Sequence, residues 1–327
     1  MIILLVGHVP RSLSLWWSEL GRAVRSAIAD PDHIDHGLFT ITMQPTAGPD
    51  STPVYWFGNS RIGSVLIERE QYRTLRDEVI HGWNQNPRDQ TLIIGTPGIG
   101  KTMHMYYLMS YLRHRWEVDH AAWVAGEVGA PSPYELDIAY EYLAFGALTS
   151  RVGYRFRMDV NGNATVSYGR GDLEDPPANL YYLCDGCCPE FIDQRTLLVT
   201  SPNVQIYKPF LMKREAGMVI KRYMGLISHQ LMEIMRPILF PHITADQLRE
   251  RYAVIGGVMR PIKHGATKEV LIRRLREMAA QCTAHALISG QGGFQKTSEV
   301  SDVLLHFVVD ENDDQHATLD FASQSVL

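Results

Sequence analysis

Apolar and polar positions in the first quarter of the chain predict short strands and one amphipathic helix. Residues 54–57 and 64–68 are apolar runs on either side of a Gly58-Asn59-Ser60 turn, which predicts two strands. Apolar residues then recur three or four apart, as on one face of a helix: Tyr72, Leu75, Val79 and Trp83. Before residue 50, only residues 16–28 have a helical pattern. We interpret residues 1–85 as a lead-in module of strands and a helix.

From residue 86 onward, apolar runs of strand length alternate with helical segments. The predicted strands are 91–95, 120–125, 155–159, 164–168, 179–184 and 196–200, and the predicted helices are 103–116 and 137–148. The sequence Asn161-Gly162-Asn163 between two of the strands is a hairpin signal. Such alternation predicts an α/β fold, with a mostly parallel sheet sandwiched between helices and a core domain over residues 86–225.

The last third of the chain has a helical pattern. Helices are predicted at 226–238, 244–252 and 267–282, with a break at Gly256-Gly257. Thr244 and Gln247 stand three residues apart, which is the spacing of a capping box. We interpret residues 226–327 as a helical lid and C-terminal segment that follow the α/β core.

Composition excludes several classes of protein. The chain has 327 residues, of which 45% are hydrophobic and 20% charged, typical of a globular protein. The net charge of −5 does not indicate a nucleic-acid-binding protein as a whole. We find no signal segment and no apolar stretch near the roughly 20 residues needed to span a bilayer, so no membrane association is expected. The four cysteines are too few for a secreted disulfide framework, which indicates a reducing, intracellular compartment.

The clearest motif follows the strand at 91–95. It is a Walker A phosphate-binding loop, G-x-x-x-x-G-K-T, made of Gly95, Thr96, Pro97, Gly98, Ile99, Gly100, Lys101 and Thr102. Glycines allow backbone N–H groups to converge on phosphate oxygens, and the following helix N-terminus adds further donors. The lysine is expected to neutralise the β- and γ-phosphates, and the threonine hydroxyl to ligate Mg²⁺. This loop predicts a nucleotide-binding protein.

A phosphate loop requires an acidic partner for Mg²⁺, and Asp185 ends the predicted strand at 179–184. We therefore predict Asp185 as the second metal ligand, together with Thr102. The next residue is Gly186, where many such ATPases have an acidic residue that polarises water. Glu127 and Glu190 are the alternative candidates, and hydrolysis is expected to be slow.

Other polar positions are weaker candidates. Asn203 or Ser201, after the strand at 196–200, could sense the γ-phosphate, or could form an ordinary turn. Arg260 could neutralise phosphate charge or lie on the surface. Cys184 and Cys187 have metal-like spacing, but the absence of a second Cys or His pair argues against a structural zinc. No N-K-x-D run of the guanine-reading kind is present, which favours ATP.

The ordered set of motifs resembles the crinkler and retrotransposon hot spot (RHS) family of P-loop ATPases. The resemblance runs from about residue 55 to near the C-terminus. It rests on these segments: 64–69 with Tyr72, 95–102, 182–185, 199–203 with Tyr207 and Phe210, 251–257 with Arg260, 300–306, and 321–323. It implies a regulatory ATPase. It also strengthens the prediction that Ser201, Asn203 and Arg260 are functional residues.

The resemblance also bears on domains and partners. Family members often carry a C-terminal nuclease-like domain, whereas this sequence stops at Leu327. We therefore expect either a truncated member or an effector domain on another product, and the resemblance does not extend to nuclease activity of this chain. Chromatin or RNA association is implied by the trypanosomatid members, and the patch to test is Arg273, Arg274 and Arg276. Three functions remain open: a Mg²⁺-dependent ATPase, a nucleotide-gated scaffold that binds ATP with little hydrolysis to regulate an unknown protein partner, and a small-molecule kinase.

Overall fold

The computed structural model describes residues 9–27, 38–47, 51–132, 134–143, 151–169, 176–190, 193–212, 219–263, 265–281, 305–310 and 313–321. The helices are α1 (Arg11–Glu19), α2 (Glu70–Gln85), α3 (Lys101–Val124), α4 (Val204–Met212), α5 (His229–Leu239), α6 (Ala245–Ile255), α7 (Met259–Lys263) and α8 (Lys268–Gln281). The strands are β1 (Val24–Ala27), β2 (Phe39–Thr42), β3 (Val65–Glu68), β4 (Gln90–Gly95), β5 (Leu136–Leu143), β6 (Arg151–Met158), β7 (Ala164–Tyr168), β8 (Leu180–Asp185), β9 (Arg195–Thr200), β10 (Val219–Met224), β11 (Leu305–Asp310) and β12 (Asp313–Phe321).

The central sheet has seven strands in the order β10-β4-β9-β8-β5-β6-β7. Strand β5 runs parallel to β8, whereas β5, β6 and β7 form an antiparallel meander. Non-consecutive strands are neighbours here, as crossover connections through helices require. The chain is therefore an α/β protein with a mostly parallel central sheet and helices, as predicted. The helical lid remains a prediction.

The strands outside the central sheet form two smaller sheets. Strands β1, β2 and β3 form an antiparallel sheet, in which Phe39 is paired with Ala27 on one side and Glu68 on the other. Strands β11 and β12 form an antiparallel pair. Within the described part of the chain, no helix is both long and apolar enough to cross a membrane.

The chain forms two compact units. The first comprises Met1–Gln90 and Thr102–Leu198. Its core contains a cluster of aromatic rings around Trp16, a side chain with no solvent exposure. The rings within 6.3 Å of Trp16, between centroids, are those of Trp17, Trp56, Phe57, Tyr106 and Phe156. Because aromatic pairs bury large areas, this cluster holds α1 against β6 and α3.

The second unit comprises Thr91–Lys101 and Val199–Leu327. Its helix α6 contacts α5 and α8, and Met232, Met235 and Phe240 are fully buried. The predicted capping box is present at the start of α6, where Thr244 and Gln247 exchange side-chain and backbone hydrogen bonds. The domain boundaries predicted at residues 85 and 225 stay a prediction.

Several predicted elements are confirmed by the structure. Helix α2 buries all four of the positions predicted at helical spacing. The hairpin signal at 161–163 connects β6 and β7, which pair in antiparallel fashion. The strands predicted at 64–68, 91–95, 179–184 and 196–200 and the C-terminal helices also form, with bounds shifted by a few residues.

The strand predicted at the end of α3 is wrong. Residues 120–125 do not form a strand, because α3 continues to Val124. Alanines at 121 and 122 favour a helix, and the His120 ring stacks on Trp116 one turn earlier, at 4.7 Å between centroids. A short apolar run has no periodicity that separates a strand from a helix, which is why the sequence misled here.

The prediction of a helix at 137–148 is also wrong, because residues 136–143 form β5. The polar residues of this strand are buried rather than exposed. Asp137 and Glu141 alternate with the tyrosines of this strand, and both lie in the interior with partners on neighbouring strands. The Asp137 carboxylate accepts hydrogen bonds from Arg155 at 2.5 and 2.7 Å. The segment does alternate, but both of its faces are buried, because its polar side chains have partners on neighbouring strands.

The N-terminal predictions need correction too. Residues 54–57 are not a strand; Trp56–Gly58 is a 3-10 turn in which Phe57 has a φ of 50°. The helix predicted at 16–28 begins earlier and ends at Glu19, and the chain then enters β1. Predictions for Ile28, Cys282, residues 144–148, and parts of the segments 300–306 and 321–323 lie outside the described residues.

Candidate functional site

Strand β4, the loop at 96–100 and the start of α3 form the predicted strand–loop–helix unit. All six residues of β4 are buried, so the loop leaves the interior of the sheet. Gly98 and Gly100 have φ values of 85° and 104°, a region that side-chain-bearing residues rarely adopt. A Cβ at Gly98 would lie 2.9 Å from side-chain atoms of Arg260 and Val258. The loop therefore requires glycine at this position.

Lys101 is the first residue of α3, and its side chain is buried. Its ammonium donates hydrogen bonds to the carbonyl oxygens of Gly95 at 2.6 Å and Thr96 at 2.9 Å. Both acceptors belong to the loop itself, so the loop curls around its own lysine. A lysine ammonium at a helix N-terminus, where the first backbone N–H groups have no partner within the helix, is suited to bind an anion such as a phosphate.

The next residue of α3, Thr102, contacts the other predicted metal ligand. Its Oγ1 donates a hydrogen bond to Oδ2 of Asp185 at 2.6 Å, across 83 residues of sequence. The Tyr140 hydroxyl donates to the same carboxylate oxygen at 3.3 Å. Hydroxyl and carboxylate oxygens are ligands suited to Mg²⁺, so the donor set fits this ion.

The position of Asp185 follows from strand pairing. It is the last residue of β8 and lies opposite Tyr142 of β5. The fully buried Tyr140 lies two residues earlier on β5, and therefore on the same face. Burial, with the neighbouring Tyr106 and Asp185, raises the pKa of Tyr140 well above its ordinary value. The Tyr140 phenol is consequently neutral and acts as a hydrogen-bond donor to the carboxylate.

Asn203 is the N-cap residue of α4. Its Oδ1 accepts a hydrogen bond from the Gln205 backbone N–H at 3.0 Å, and its own N–H donates to the Ser201 carbonyl at 2.6 Å. This is the ordinary capping geometry of asparagine, and it accounts for the residue without a ligand. The amide nitrogen of the side chain is not used by the cap. A γ-phosphate role for Asn203 or Ser201 stays a prediction.

Arg260 lies in the short helix α7, which is hydrogen-bonded to the loop at 96–100 through backbone groups. The N–H groups of Met259 and Arg260 donate to the carbonyl oxygen of Gly98 at 3.1 and 3.3 Å. The Arg260 side chain is exposed. The structure thus places this arginine beside the loop that it was predicted to serve, and the role of its guanidinium stays a prediction.

Of the two alternative water-activating residues, Glu127 is poorly placed, and the role of Glu190 stays a prediction. Glu127 was proposed because a strand was predicted at 120–125; the residue instead lies in an exposed turn after α3. Helix α3 has 24 residues, which puts its end about 35 Å from its start. Glu127 is therefore far from Thr102. Glu190 is exposed, and its backbone N–H donates to the Tyr182 hydroxyl at 3.3 Å.

Two residues near Asp185 were missed by sequence reasoning. Tyr140 hydrogen-bonds the carboxylate, and Glu141 lies opposite Cys184 on the neighbouring strand. Both belong to β5, which was interpreted as a helix. The alternation of Ile138, Tyr140 and Tyr142 was the available signal for a strand.

Comparisons with known proteins assign no family to this chain. No protein-family profile matches this chain, and no curated protein matches it. Among solved structures, a chain of the S. cerevisiae Hsp104–ADP complex matches over 70% of this chain, with 13% identity and a TM-score of 0.31. The present chain spans 37% of the length of that chain. A TM-score this low does not establish a shared fold.

The arginine patch proposed for nucleic acid lies on α8. Arg273, Arg274 and Arg276 are all exposed, and the guanidinium of Arg273 lies 3.9 Å from Glu277 of the same helix. Exposed pairs of this kind are common on solvated helix surfaces and contribute little energy. Nucleic-acid binding by this helix stays a prediction.

Proposed function

We propose that this protein is a Mg²⁺-dependent nucleoside triphosphatase that binds and hydrolyses ATP. The observation that supports this most is the 2.6 Å hydrogen bond between Thr102 Oγ1 and Asp185 Oδ2. The sequence predicted Thr102 of the Walker A motif and the strand-ending Asp185 as the two protein ligands of one metal ion. Their meeting in the fold is the relation that a Mg²⁺–nucleotide site requires.

Each loop residue has a distinct part in this proposal. Backbone N–H groups from Gly98 to Thr102 would bind phosphate oxygens, and Lys101 would exchange its two carbonyl contacts for the β- and γ-phosphates. Thr102 and Asp185 would hold Mg²⁺, which when bound supplies positive charge next to the phosphates. Tyr140 would orient the carboxylate of Asp185 through its hydrogen bond.

Turnover is expected to be slow, because no acidic side chain follows Asp185. Gly186 takes that position. Glu141, on the neighbouring strand, is buried and accepts a hydrogen bond from Tyr182, so it is engaged away from the Thr102–Asp185 pair. This observation favours a second candidate function, a nucleotide-gated scaffold that binds ATP with little or no hydrolysis.

Membership of the crinkler and RHS family belongs to the same proposal and rests on sequence motifs alone. It would make the protein a regulatory module, nuclear or cytoplasmic, with an unknown protein partner or with chromatin or RNA. The choice of ATP over other nucleotides rests on the missing N-K-x-D run.

The test compares the purified chain with Lys101→Ala and Asp185→Ala. We expect the wild type to bind ATP in the presence of Mg²⁺ and to release phosphate. Loss of the charge-assisted contacts of Lys101 should weaken binding by about 10- to 150-fold. Asp185→Ala should remove the Mg²⁺ dependence. Lys268→Ala and Asp246→Ala make the same chemical changes at exposed helix positions and should behave like wild type.

The outcomes separate the candidate functions. Phosphate release that both site variants abolish would support the ATPase. Tight Mg²⁺–ATP binding without phosphate release would favour the scaffold, and phosphate that appears on an added acceptor rather than in water would indicate a kinase. No detectable binding by a folded wild-type chain would overturn the proposal.

A further inference from the structure

A cluster of three metal-ligating side chains lies next to Asp185 on the far side of its strand. It consists of Glu141, Cys184 and Cys187, and we call it the thiol cluster. One ligand atom from each residue, a carboxylate oxygen or Sγ, lies within 4.8 Å of the other two. All three residues are buried, with at most 4% of their surface exposed.

Strand pairing and one glycine create the thiol cluster. Glu141 of β5 lies opposite Cys184 of β8 in the parallel register, and its Oε2 lies 4.0 Å from the Cys184 Sγ. Gly186 then takes a φ of 70°, which turns the chain immediately after the strand. This turn returns Cys187 to Cys184, and their Sγ atoms lie within 4.8 Å of each other. The sequence could not show this cluster, because its third member comes from a strand 43 residues away.

The donor types select a class of ion. Two sulfur ligands favour thiophilic ions such as Zn²⁺ over Mg²⁺ or Ca²⁺, which require oxygen. At Zn–S and Zn–O distances of about 2.3 and 2.0 Å, tetrahedral ligands stand roughly 3.5–3.8 Å apart. To reach that geometry from the observed separations of up to 4.8 Å, the ligand atoms must approach one another by about 1 Å. Side-chain rotation can supply a movement of this size. The sequence-based argument against zinc rested on a missing second ligand pair, and Glu141 supplies a third ligand.

Charge is compatible with an ion at this place. The three residues would bind as one carboxylate and two thiolates, with the thiol protons released to solvent, and a divalent cation would neutralise most of that negative charge. Glu141 also accepts a hydrogen bond from the Tyr182 hydroxyl, which holds its carboxylate in the interior. The fourth position of the tetrahedron would be taken by a water molecule or by the Tyr182 oxygen.

We propose that Glu141, Cys184 and Cys187 form a binding site for Zn²⁺. Because Asp185 and Gly186 lie between the two cysteines, the ion would close a small ring that includes them. It would thereby fix the backbone that presents Asp185 to Thr102. The zinc site does not depend on the proposed nucleotide function.

The test uses Co²⁺ as a spectroscopic substitute for Zn²⁺. The buffer contains a phosphine reductant, which keeps the cysteine thiols reduced. Thiolate ligation of Co²⁺ gives a charge-transfer absorption in the near ultraviolet, which oxygen ligands such as those of Asp185 and Thr102 do not give. We expect this band in the wild type at one Co²⁺ per chain, and its loss on addition of one equivalent of Zn²⁺. Cys187→Ser and Glu141→Gln should each weaken Co²⁺ binding at least about tenfold, since even outer-shell changes cost this much.

Cys188→Ser is the matched control, because it removes a neighbouring thiol that lies outside the thiol cluster. We expect it to retain the Co²⁺ band and the affinity of wild type. Circular dichroism establishes that each variant is folded, and Glu141→Gln, which preserves side-chain volume, serves if Cys187→Ser does not fold. Absence of the band in the wild type, or its loss in Cys188→Ser but not in Cys187→Ser, would overturn the assignment. Neither result depends on whether the chain binds ATP.

Discussion

Gly98 has a φ of 85° and lies where its carbonyl oxygen receives two backbone hydrogen bonds from the start of α7. Its missing side chain leaves room for the Cβ of Arg260 and the Cγ1 of Val258. In a phosphate loop, glycine is usually explained by the approach of the ligand. Here the protein's own packing sets a second requirement, because α7 closes on the same backbone.

We expect Gly98→Ala to destabilise the protein more than Gly129→Ala. Both glycines have a φ of 85°, where a side chain costs about 1–2 kcal/mol, but nothing lies within 4 Å of a Cβ at Gly129. The alanine at 98 must in addition displace α7 from the loop, which should also weaken binding of Mg²⁺–ATP. Urea denaturation and nucleotide titration of both variants measure the two effects. Equal losses of stability would contradict the packing argument.

Among the elements, β5 and α6 illustrate two ways in which a segment satisfies its polar groups. Strand β5 places Asp137 and Glu141 in the interior, and each depends on a partner from another strand, Arg155 or Tyr182. Helix α6 satisfies its first N–H groups locally, through the capping box of Thr244 and Gln247. A local device can be recognised in the sequence, whereas a partner on another strand cannot.

Thr244→Ala should lower the free energy of unfolding by about 1 kcal/mol, because the Gln247 N–H loses its acceptor. Thr74→Ala makes the same change inside α2 at an exposed position. That variant should be neutral or slightly more stable, since alanine has the higher helix propensity. Denaturant titrations of both variants provide the comparison. A Thr244 variant as stable as wild type would show that the box contributes nothing to α6.

On the scale of the whole molecule, stability depends on titratable groups buried in the first unit. His104 lies on α3 with no solvent exposure, next to the ring of Tyr72 at 5.4 Å between centroids. Burial, and then the charge of Arg69, lower its pKa to about 3, and Arg76 acts in the same direction. His104 is therefore neutral in the folded chain at every pH at which the protein is expected to work.

This buried histidine predicts acid sensitivity. Between pH 6.5 and about 3, His104 is protonated in the unfolded chain but stays neutral in the folded chain. The free energy of unfolding therefore falls as the pH falls. The slope from this group is at most about 1.4 kcal/mol per pH unit. His104→Gln should flatten the decline in melting temperature across this window, whereas His114→Gln, at an exposed position of the same helix, should leave it unchanged. Identical pH profiles for all three proteins would refute the assignment.

The sequence by itself determined the features that depend on neighbouring residues. These are the strand–loop–helix around Lys101, the apolar strand that ends at Asp185, the β6–β7 hairpin and the capping box of α6. Each follows from local backbone preferences and short hydrophobic periods.

Only the tertiary structure decided which of these segments meet. The hydrogen bond from Thr102 to Asp185 spans 83 residues, and the placement of Glu141 beside Cys184 spans 43. Strand β5 has a local signal in its alternating residues, but only the fold shows that its polar side chains are buried against partners elsewhere in the chain. The α7 contact with Gly98 has no local sequence signal. Long-range pairings arise when apolar surfaces and buried polar groups are satisfied together, and a pattern along one segment carries no record of its partner.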